Sequence, residues 1–175
     1  IMQDFVHLHV HTQYSLLDGQ ASVARLVDKA MQNGMKGIAV TDHGNMFGIK
    51  EFTNYVNKKN SGPKGEIKDL KKRLVGIEAG SIECEDKEAE VAACKAKIVE
   101  AENKLFKPII GCEMYVARRT MDLKEGKQDQ SGYHLIVLAK NETGYHNLIK
   151  LVSHAWTRGY YMRPRTDRSE LEKYH

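Results

Sequence analysis

Polar and apolar residues alternate near the start of the chain, a pattern that is typical of a β-strand with one polar face. Residues 5–12 are Phe-Val-His-Leu-His-Val-His-Thr, so three histidines are expected on one face and Leu8 and Val10 on the other. A short turn, Ser-Leu-Leu-Asp-Gly at residues 15–19, follows. The pattern therefore predicts a strand that leads into a turn with polar side chains.

Three later apolar runs have the length of buried strands, and helical patterns separate them. The predicted strands cover residues 36–41, 108–117 and 133–139. Ser22 is a suitable N-cap and Gly34 a suitable stop for a first helix. Further helices are predicted at about residues 47–58 and from residue 141 onward. Strands and helices in this order predict an α/β fold with a mainly parallel sheet.

The stretch between these strands, from residue 60 to residue 107, has a different character. Asn-Ser-Gly-Pro-Lys-Gly at residues 60–65 predicts a break, after which apolar residues recur every three or four positions among lysines and glutamates. The two stripes are Ile67, Leu70, Leu74 and Ile77, then Val91, Cys94, Ile98, Ala101 and Leu105. They predict an antiparallel helical hairpin over residues 62–106, inserted into the domain.

The last third of the chain contains two segments without clear periodicity. Residues 118–131 are predicted to form a charged loop, and residues 158–167 an irregular loop rich in arginine and tyrosine. A helix that begins near Arg168 has no stop signal before His175. This ending predicts that the chain is the N-terminal part of a longer protein.

Composition and charge describe an ordinary globular protein. The 175 residues are 41% hydrophobic and 29% charged, and no apolar run is long enough to span a bilayer. We found no leader pattern and expect a cytoplasmic protein with no membrane partner. The net charge of +4 is too small to indicate nucleic-acid binding by itself. Three cysteines match no zinc-finger spacing, which favours reduced thiols.

Six residues that could bind metal ions follow or begin the predicted strands: His9, His11, Asp18, His43, Glu113 and His134. The first two lie about 7 Å apart on one strand face. Side chains from strand ends and the loops after them can converge on one cluster in a parallel barrel. Imidazole suits zinc, manganese and iron, and carboxylates bridge such ions. Because two or three ions can generate hydroxide and hold a phosphate, the pattern predicts a multinuclear hydrolase.

Each of these residues also has a simpler structural explanation when it is taken alone. A His-x-His pair on a strand usually binds no metal, His43 could be an exposed loop residue, and Glu113 could form a salt bridge at a sheet edge. The combined spacing is more specific than any single residue. The remaining histidines near the end of the chain are interpreted as ordinary surface or helix residues: His146, His154 and His175.

Whole phrases of the sequence, and not only the candidate ligands, resemble the polymerase and histidinol phosphatase (PHP) family. The matching phrases are residues 7–19, 41–48, 107–116, 132–141, 143–148 and 161–167. The first begins His-Leu-His-Val-His-Thr, the second contains Asp-His-Gly-Asn, and the third carries the family's glutamate. Together they are similar to the PHP domains at the front of bacterial replicative DNA polymerases, over nearly the whole chain except the hairpin.

The resemblance implies a fold and a ligand set. The fold would be a distorted seven-stranded (β/α) barrel, truncated here, so that residues 1–175 are the incomplete N-terminal part of the domain. Up to three divalent metals would be held by His9, His11, Asp18, His43, Glu113 and His134. Asp42 would not bind metal itself but would orient the imidazole of His43. The family's remaining ligands, a cysteine and an Asp-x-His pair, are expected beyond His175.

The resemblance also implies a function for the parent protein and for the domain. The parent would be a DNA-directed DNA polymerase, with DNA and other replicase subunits, a proofreading subunit among them, as partners. The domain would be a metal-dependent phosphoesterase that acts as a 3′-5′ proofreading exonuclease, and residues 1–175 alone are expected to have little activity. Two alternatives stay open: a metal-binding scaffold that docks a proofreading subunit, or a free-standing histidinol phosphatase-like enzyme. The hairpin would be a solvated decoration or a partner-docking arm.

Overall fold

The computed structural model describes residues 5–130 and 132–175. Residues 5–53 and the described residues from 108 onward form one compact unit, and residues 54–107 form a second. The elements in chain order are α1 (Val23–Gln32), β1 (Gly37–Val40), α2 (Ile49–Lys59), α3 (Ser61–Glu78), α4 (Lys87–Asn103), β2 (Lys107–Val116), α5 (Gly126–Gln130), β3 (Tyr133–Leu138), α6 (Glu142–Thr157), β4 (Arg165–Thr166) and α7 (Arg168–Lys173). These helices and strands confirm the predicted α/β fold class.

The four strands in the described residues form one mixed sheet around β2. Strand β1 lies beside β2, and β4 pairs with β2 in parallel at Tyr115 and Val116. Strand β3 pairs with β2 antiparallel, with Gly111 opposite Leu138 and Val116 opposite Tyr133. Just past β1, a parallel bridge joins His43 to the middle of β2. Because β2 contacts all three other strands, its side chains occupy the centre of this unit.

Strand β2 separates the apolar core from a polar face. Successive side chains on a strand point to opposite sides. Cys112 and Met114 pack against Leu148 and other apolar residues of α6 and are fully buried. Glu113 lies between them in sequence and therefore points away from this core. The alternation that buries α6 against the sheet thus also presents a carboxylate on the opposite face.

The prediction of a regular strand over residues 5–12 is wrong. The segment runs beside β1, where Ala39 donates its amide to the carbonyl of His7 and Thr41 donates to that of Val10. From Ala39 to Thr41 the chain advances by two residues, whereas the segment opposite advances by three, from His7 to Val10. The segment thus has an extra residue, as in a β-bulge. The extra residue breaks the alternation of faces, and Leu8 is half exposed. The segment is extended, but its side chains do not sort into two faces.

In the second unit, helices α3 and α4 pack along one another in opposite directions. Arg73 lies 3.1 Å from Glu90, and Lys71 lies 3.5 Å from Glu102, so the pairing runs antiparallel. The seam between them is narrow. Its buried side chains within the two helices are Ile77, Cys94, Ile98 and Ala101.

The break expected at residues 60–65 is shorter than predicted. Helix α3 begins at Ser61, so Pro63 lies in its first turn, where the missing amide of proline costs no helical hydrogen bond. The buried side chain of Asn60 links the start of α3 to the chain that follows α4. Its amide donates to the carbonyl of Phe106 at 2.8 Å, and its oxygen accepts from the amide of Phe106 at 2.9 Å. The start of α3 therefore lies next to the chain that follows α4.

Two segments expected to be loops contain regular structure. Residues 118–130 include the short helix α5, and residues 158–167 include β4. The side chain of Arg165 is fully buried there, with its guanidinium bonded to backbone carbonyls. The last residue of the first predicted loop, Ser131, lies outside the described part. None of the helices that the structure describes is long and apolar enough to cross a membrane.

Candidate metal centre

The structure brings all six predicted ligands to one end of the sheet. His9 and His11 come from the extended segment, and Asp18 from the turn after it. His43 follows β1, while Glu113 and His134 lie on β2 and β3. Their ligand atoms form three overlapping groups, each with atoms within 4.8 Å of one another: His9, His11 and Glu113; His11, Asp18 and His43; His43, Glu113 and His134.

Glu113 is the centre of this arrangement. One of its carboxylate oxygens, Oε2, lies 2.9 Å from Nε2 of His9, 2.9 Å from Nε2 of His11 and 3.3 Å from Nδ1 of His43. The other oxygen, Oε1, is hydrogen-bonded to Nδ1 of His134. Four imidazoles thus surround one buried carboxylate.

The three groups overlap in a regular way. His11, His43 and Glu113 each belong to two groups, and we call them the shared residues. The other three ligands each belong to one group, and we call them the outer residues: His9, Asp18 and His134. All three outer side chains are about half exposed. The cluster therefore has a protected middle and a rim that solvent reaches.

The donor set fits divalent metal ions better than it fits a hydrogen-bond network. His9 and His11 bring their Nε2 atoms to 2.8 Å, where at most one proton can lie between them. Nδ1 of His43 is buried and makes no hydrogen bond, because its approach to Glu113 is poorly aligned. Donors about 2.1 Å from one ion lie roughly 3.0–3.4 Å apart, close to the spacing seen here. Crowded imidazole nitrogens around a carboxylate are what such an ion requires.

Asp42 does not bond to the imidazole of His43, contrary to the role predicted for it. Its buried carboxylate accepts from the amide and hydroxyl of Thr12, at 2.7 and 2.8 Å, and from the hydroxyl of Ser15 at 2.7 Å. The Ser15 oxygen lies 3.0 Å from Nδ1 of His11. Because the hydroxyl proton goes to Asp42, Nδ1 of His11 is the donor and its Nε2 is left free to bind a metal.

The electrostatics keep the ligands in the protonation states that metal binding needs. Burial alone would raise the pKa of Glu113, but hydrogen bonds from His9 and His134 outweigh it, and the pKa lies below its ordinary value. Burial, together with the nearby His43, lowers the pKa of His11. The hydrogen bond from His43 lowers the pKa of Asp18. Charged carboxylates and a neutral imidazole are therefore favoured near neutral pH.

The other histidines and the nearby thiol do not join the cluster. His154 bonds to Glu170 at 2.6 Å, and His146 lies 3.9 Å from Glu142 on the same helix. His175 bonds to a backbone carbonyl. Cys112 is adjacent to Glu113 in sequence, but burial raises the pKa of its thiol to about 12, so it stays protonated.

Three residues near the cluster were not identified from the sequence. Ser15 gave no signal, because its position depends on how the turn after the extended segment folds. Tyr115 could have been found, since it is two residues from Glu113 on the same strand face; its ring stacks on His43 with centroids 5.9 Å apart. Trp156 donates its indole proton to the carbonyl of Gly44, next to His43, at 2.8 Å. A pocket of about 600 Å³ lies between these residues and the cluster.

Comparison with known proteins agrees with the resemblance noted in the sequence. The profile of the family described as PHP domain matches residues 7–175. DNA polymerase III subunit alpha of Borreliella burgdorferi is 40% identical over 173 residues, which is 97% of this chain and 11% of that protein. The Treponema pallidum subunit is 40% identical over 93% of this chain and 10% of its own length. The Aquifex aeolicus subunit is 34% identical over 98% and 12%.

The chain thus spans about a tenth of the length of the curated relatives that it matches. The family match, in contrast, covers nearly all of the chain, including the phrases that hold all six candidate ligands. The chain belongs to the PHP domain family.

Proposed function

We propose that this chain is the PHP domain of a bacterial DNA polymerase III alpha subunit and that its cluster is a metal-dependent phosphodiesterase centre. The polymerase assignment rests on 40% identity to two alpha subunits over more than nine-tenths of the chain. The assignment of chemistry rests on one observation, the convergence of four imidazoles on the buried carboxylate of Glu113. Such a centre in a replicative polymerase would act as a 3′-5′ proofreading exonuclease.

The complete domain would be a distorted seven-stranded (β/α) barrel that binds two or three divalent ions. Zinc, manganese and iron all suit imidazole with bridging carboxylate. Helices α3 and α4 would be an insertion over residues 62–106. The parent polymerase would work in the cytoplasm with DNA and with other replicase subunits, a proofreading subunit among them.

The chain's own residues would prepare the site in three ways. Glu113 stays charged and draws the surrounding imidazoles together. Ser15 and Asp42 hold His11 with Nε2 directed at the cluster. The half-exposed outer residues leave one side of the cluster open to a phosphodiester. Divalent ions bound there would supply an activated water and stabilise the charge that develops on phosphate.

The test measures metal content and hydrolysis together. The full-length polymerase, with this chain beside it, is loaded with zinc, manganese or iron, dialysed, and assayed for bound metal and for hydrolysis of bis-p-nitrophenyl phosphate and a 3′-labelled oligonucleotide. Glu113→Gln should lose most of the bound metal and all chelator-sensitive hydrolysis. His146→Ala is the matched control, because it removes a histidine that lies on α6 next to Glu142 and Tyr145, outside the cluster.

Each outcome distinguishes the candidate functions. Metal binding that depends on Glu113, together with hydrolysis of the oligonucleotide, supports the proposal. Metal binding without hydrolysis, in the full-length polymerase as well as in this chain, would point to the scaffold role instead. If Glu113→Gln binds as much metal as the unchanged chain, the cluster is not the metal site.

A further inference from the structure

An exposed shelf of three aromatic rings borders the candidate metal centre. The rings are Phe47, Trp156 and Tyr160, and we call them the aromatic shelf. Trp156 and Tyr160 are stacked, with centroids 5.7 Å apart and planes at 19°, and Phe47 lies 6.3 Å from Trp156. Between 43% and 65% of each residue is exposed. Contiguous apolar surface of this kind on a soluble protein usually marks a binding site.

The shelf is tied to the metal centre by a hydrogen bond. The indole nitrogen of Trp156 donates to the carbonyl of Gly44 at 2.8 Å, and Gly44 follows His43 directly. The amide of Gly44 in turn donates to the carbonyl of Glu113 at 2.9 Å. Gly44 has a φ of +61°, and a Cβ there would lie 2.7 Å from Pro164. The loop that carries a candidate ligand therefore also fixes the orientation of the indole ring.

A single positive charge lies on the rim of the same pocket. The guanidinium of Arg163 is 4.8 Å from the ring centre of Tyr115 and donates to its hydroxyl at 2.8 Å. Tyr115 stacks on His43, so the charge is connected to the cluster through one ring. In the part of the chain that the structure describes, no carboxylate forms an ion pair with Arg163.

The backbone that presents Arg163 is unusual. Met162, just before it, has a φ of +61°, the left-handed region that residues with a side chain rarely adopt. The amide of Tyr161 donates to the carbonyl of Arg163 at 3.1 Å and closes a tight turn. Unusual backbone of this kind is concentrated at ligand-binding sites. This turn therefore holds the guanidinium of Arg163 in a fixed position beside the shelf.

We propose that the aromatic shelf binds the terminal base of a single-stranded nucleic acid, while Arg163 binds a phosphate of the same strand. Aromatic rings stack any base, and the guanidinium matches the geometry and charge of phosphate. The pocket of about 600 Å³ has room for one nucleotide. Bases in an intact duplex are stacked on one another and cannot reach such a shelf. The inference rests on the proposed function, since it places a strand end next to the centre that would cleave it.

Trp156 is the single tryptophan of the chain, so its fluorescence reports directly on the shelf. The chain is titrated, in a chelator and without added metal, with a short oligothymidylate. Two further ligands serve as controls: an abasic deoxyribose-phosphate of the same length and a blunt duplex. We expect saturable quenching by the single strand and little by either control. Equal binding of the abasic strand, or no quenching by any ligand, would overturn the proposal.

Variants separate stacking from charge. Tyr160→Ala and Trp156→Leu should weaken binding of a labelled single strand by about 5- to 150-fold, the contribution of stacking one base. Tyr160→Phe keeps the ring and should bind as the unchanged chain does. Arg163→Ala should weaken the abasic and the normal strand alike. Tyr145→Ala removes an aromatic residue at the other end of α6 and should have no effect.

The same experiment separates this inference from the proposed function. If the single strand quenches the fluorescence of the chain in chelator, while no added divalent ion gives hydrolysis, the chain has the shelf and lacks the phosphodiesterase. Hydrolysis that occurs without base-dependent quenching, and that Tyr160→Ala leaves unchanged, would mean that the shelf contacts something else, such as another part of the polymerase. Circular dichroism of each variant establishes that the fold is retained.

Discussion

The hydroxyl of Ser15 is the smallest group on which the candidate metal centre depends. It donates to Asp42 at 2.7 Å, and it accepts from Nδ1 of His11 and from the backbone amide of His43. One oxygen thus connects a buried carboxylate to two ligand-bearing segments. Groups that orient ligands in this way have large effects on metal affinity, although they never touch the metal.

We therefore expect Ser15→Ala to weaken metal binding by about 10- to 100-fold, because His11 loses the partner that keeps its Nε2 directed at the cluster. Competition with a chromophoric chelator would measure the change. Ser153→Ala, an exposed serine on α6, is the matched control and should bind metal normally. Unchanged affinity in Ser15→Ala would mean that the turn holds His11 without help from the hydroxyl.

The contrast between His43 and Asp42 illustrates what the sequence could and could not predict at this scale. His43 was predictable because a polar residue in the loop just beyond a short buried strand lies near the strand's carboxyl end. The partner of Asp42 was not predictable, because neighbours in sequence on a strand end point to different sides. Asp42 is directed towards Thr12 and Ser15, and those residues are near only because of the turn between them.

At the scale of elements, β4 depends on one buried arginine. The guanidinium of Arg165 donates to the carbonyls of Gly159, Asp129, Met121 and Leu123, at distances between 2.8 and 3.0 Å. These carbonyls belong to three separate stretches of chain. The arginine therefore supplies hydrogen bonds to backbone carbonyls that would otherwise be buried without partners.

Arg165→Met should destabilise the fold by at least about 2 kcal/mol, because it keeps the volume of the side chain but leaves several carbonyls unsatisfied. Urea unfolding followed by circular dichroism measures the loss. Arg168→Met is the control, since that arginine is exposed and its ion pair among the described residues is with Glu172 alone, and it should cost less than about 0.5 kcal/mol. Equal effects of the two substitutions would contradict this account of Arg165.

Helices α3 and α4 illustrate the opposite case, in which the elements were accessible from the sequence. Apolar residues recur every three or four positions among lysines and glutamates in each helix. This pattern is clear because the two helices bury only a narrow seam between them. The start of α3 was harder to predict, because Pro63 is tolerated in a first turn. The loops at residues 118–130 and 158–167 were misjudged because their order comes from Arg165 and Asp129, whose burial has no periodic signature.

The hairpin itself should be removable. Asn60 bonds to both backbone groups of Phe106, so the two ends of the segment between them are adjacent. Replacing residues 62–105 with a short glycine-serine linker should leave metal content unchanged and shift the thermal midpoint by only a few degrees, because a longer or shorter loop alters closure entropy slowly. Metal analysis and calorimetry test this. Insoluble protein, or loss of metal uptake, would mean that the segment belongs to the core of the domain.

At the scale of the whole molecule, two buried aspartates link stability to pH. Hydrogen bonds from Arg119, at 3.0 and 2.6 Å, hold the pKa of Asp129 below its ordinary value. Burial alone would raise the pKa of Asp167, but bonds from the amides of Met121 and Glu170 outweigh it and lower the pKa. In both cases the folded form favours the charged carboxylate more strongly than the unfolded chain does.

A lowered pKa in the folded state gives stability that is complete above the unfolded pKa of about 3.9 and is lost as pH falls below it. Urea midpoints, measured in chelator to exclude bound metal, should therefore fall steeply below about pH 4, after a smaller loss between about pH 7 and about pH 5 that comes from the lowered pKa of His11. Asp129→Asn should be less stable at pH 7 and should show a shallower acid limb. An acid limb of the same depth in that variant would assign the effect to other carboxylates.

The overlap of the three ligand groups has a consequence for how such a site changes during evolution. Substitution of an outer residue disturbs one group, whereas substitution of a shared residue disturbs two. A lineage released from selection on the chemistry would thus lose ions stepwise when an outer position drifts first, and abruptly when Glu113 does. Natural forms with a single outer substitution should retain a reduced but measurable metal content. The order in which positions were lost would then be recorded in the number of ions that each descendant still binds.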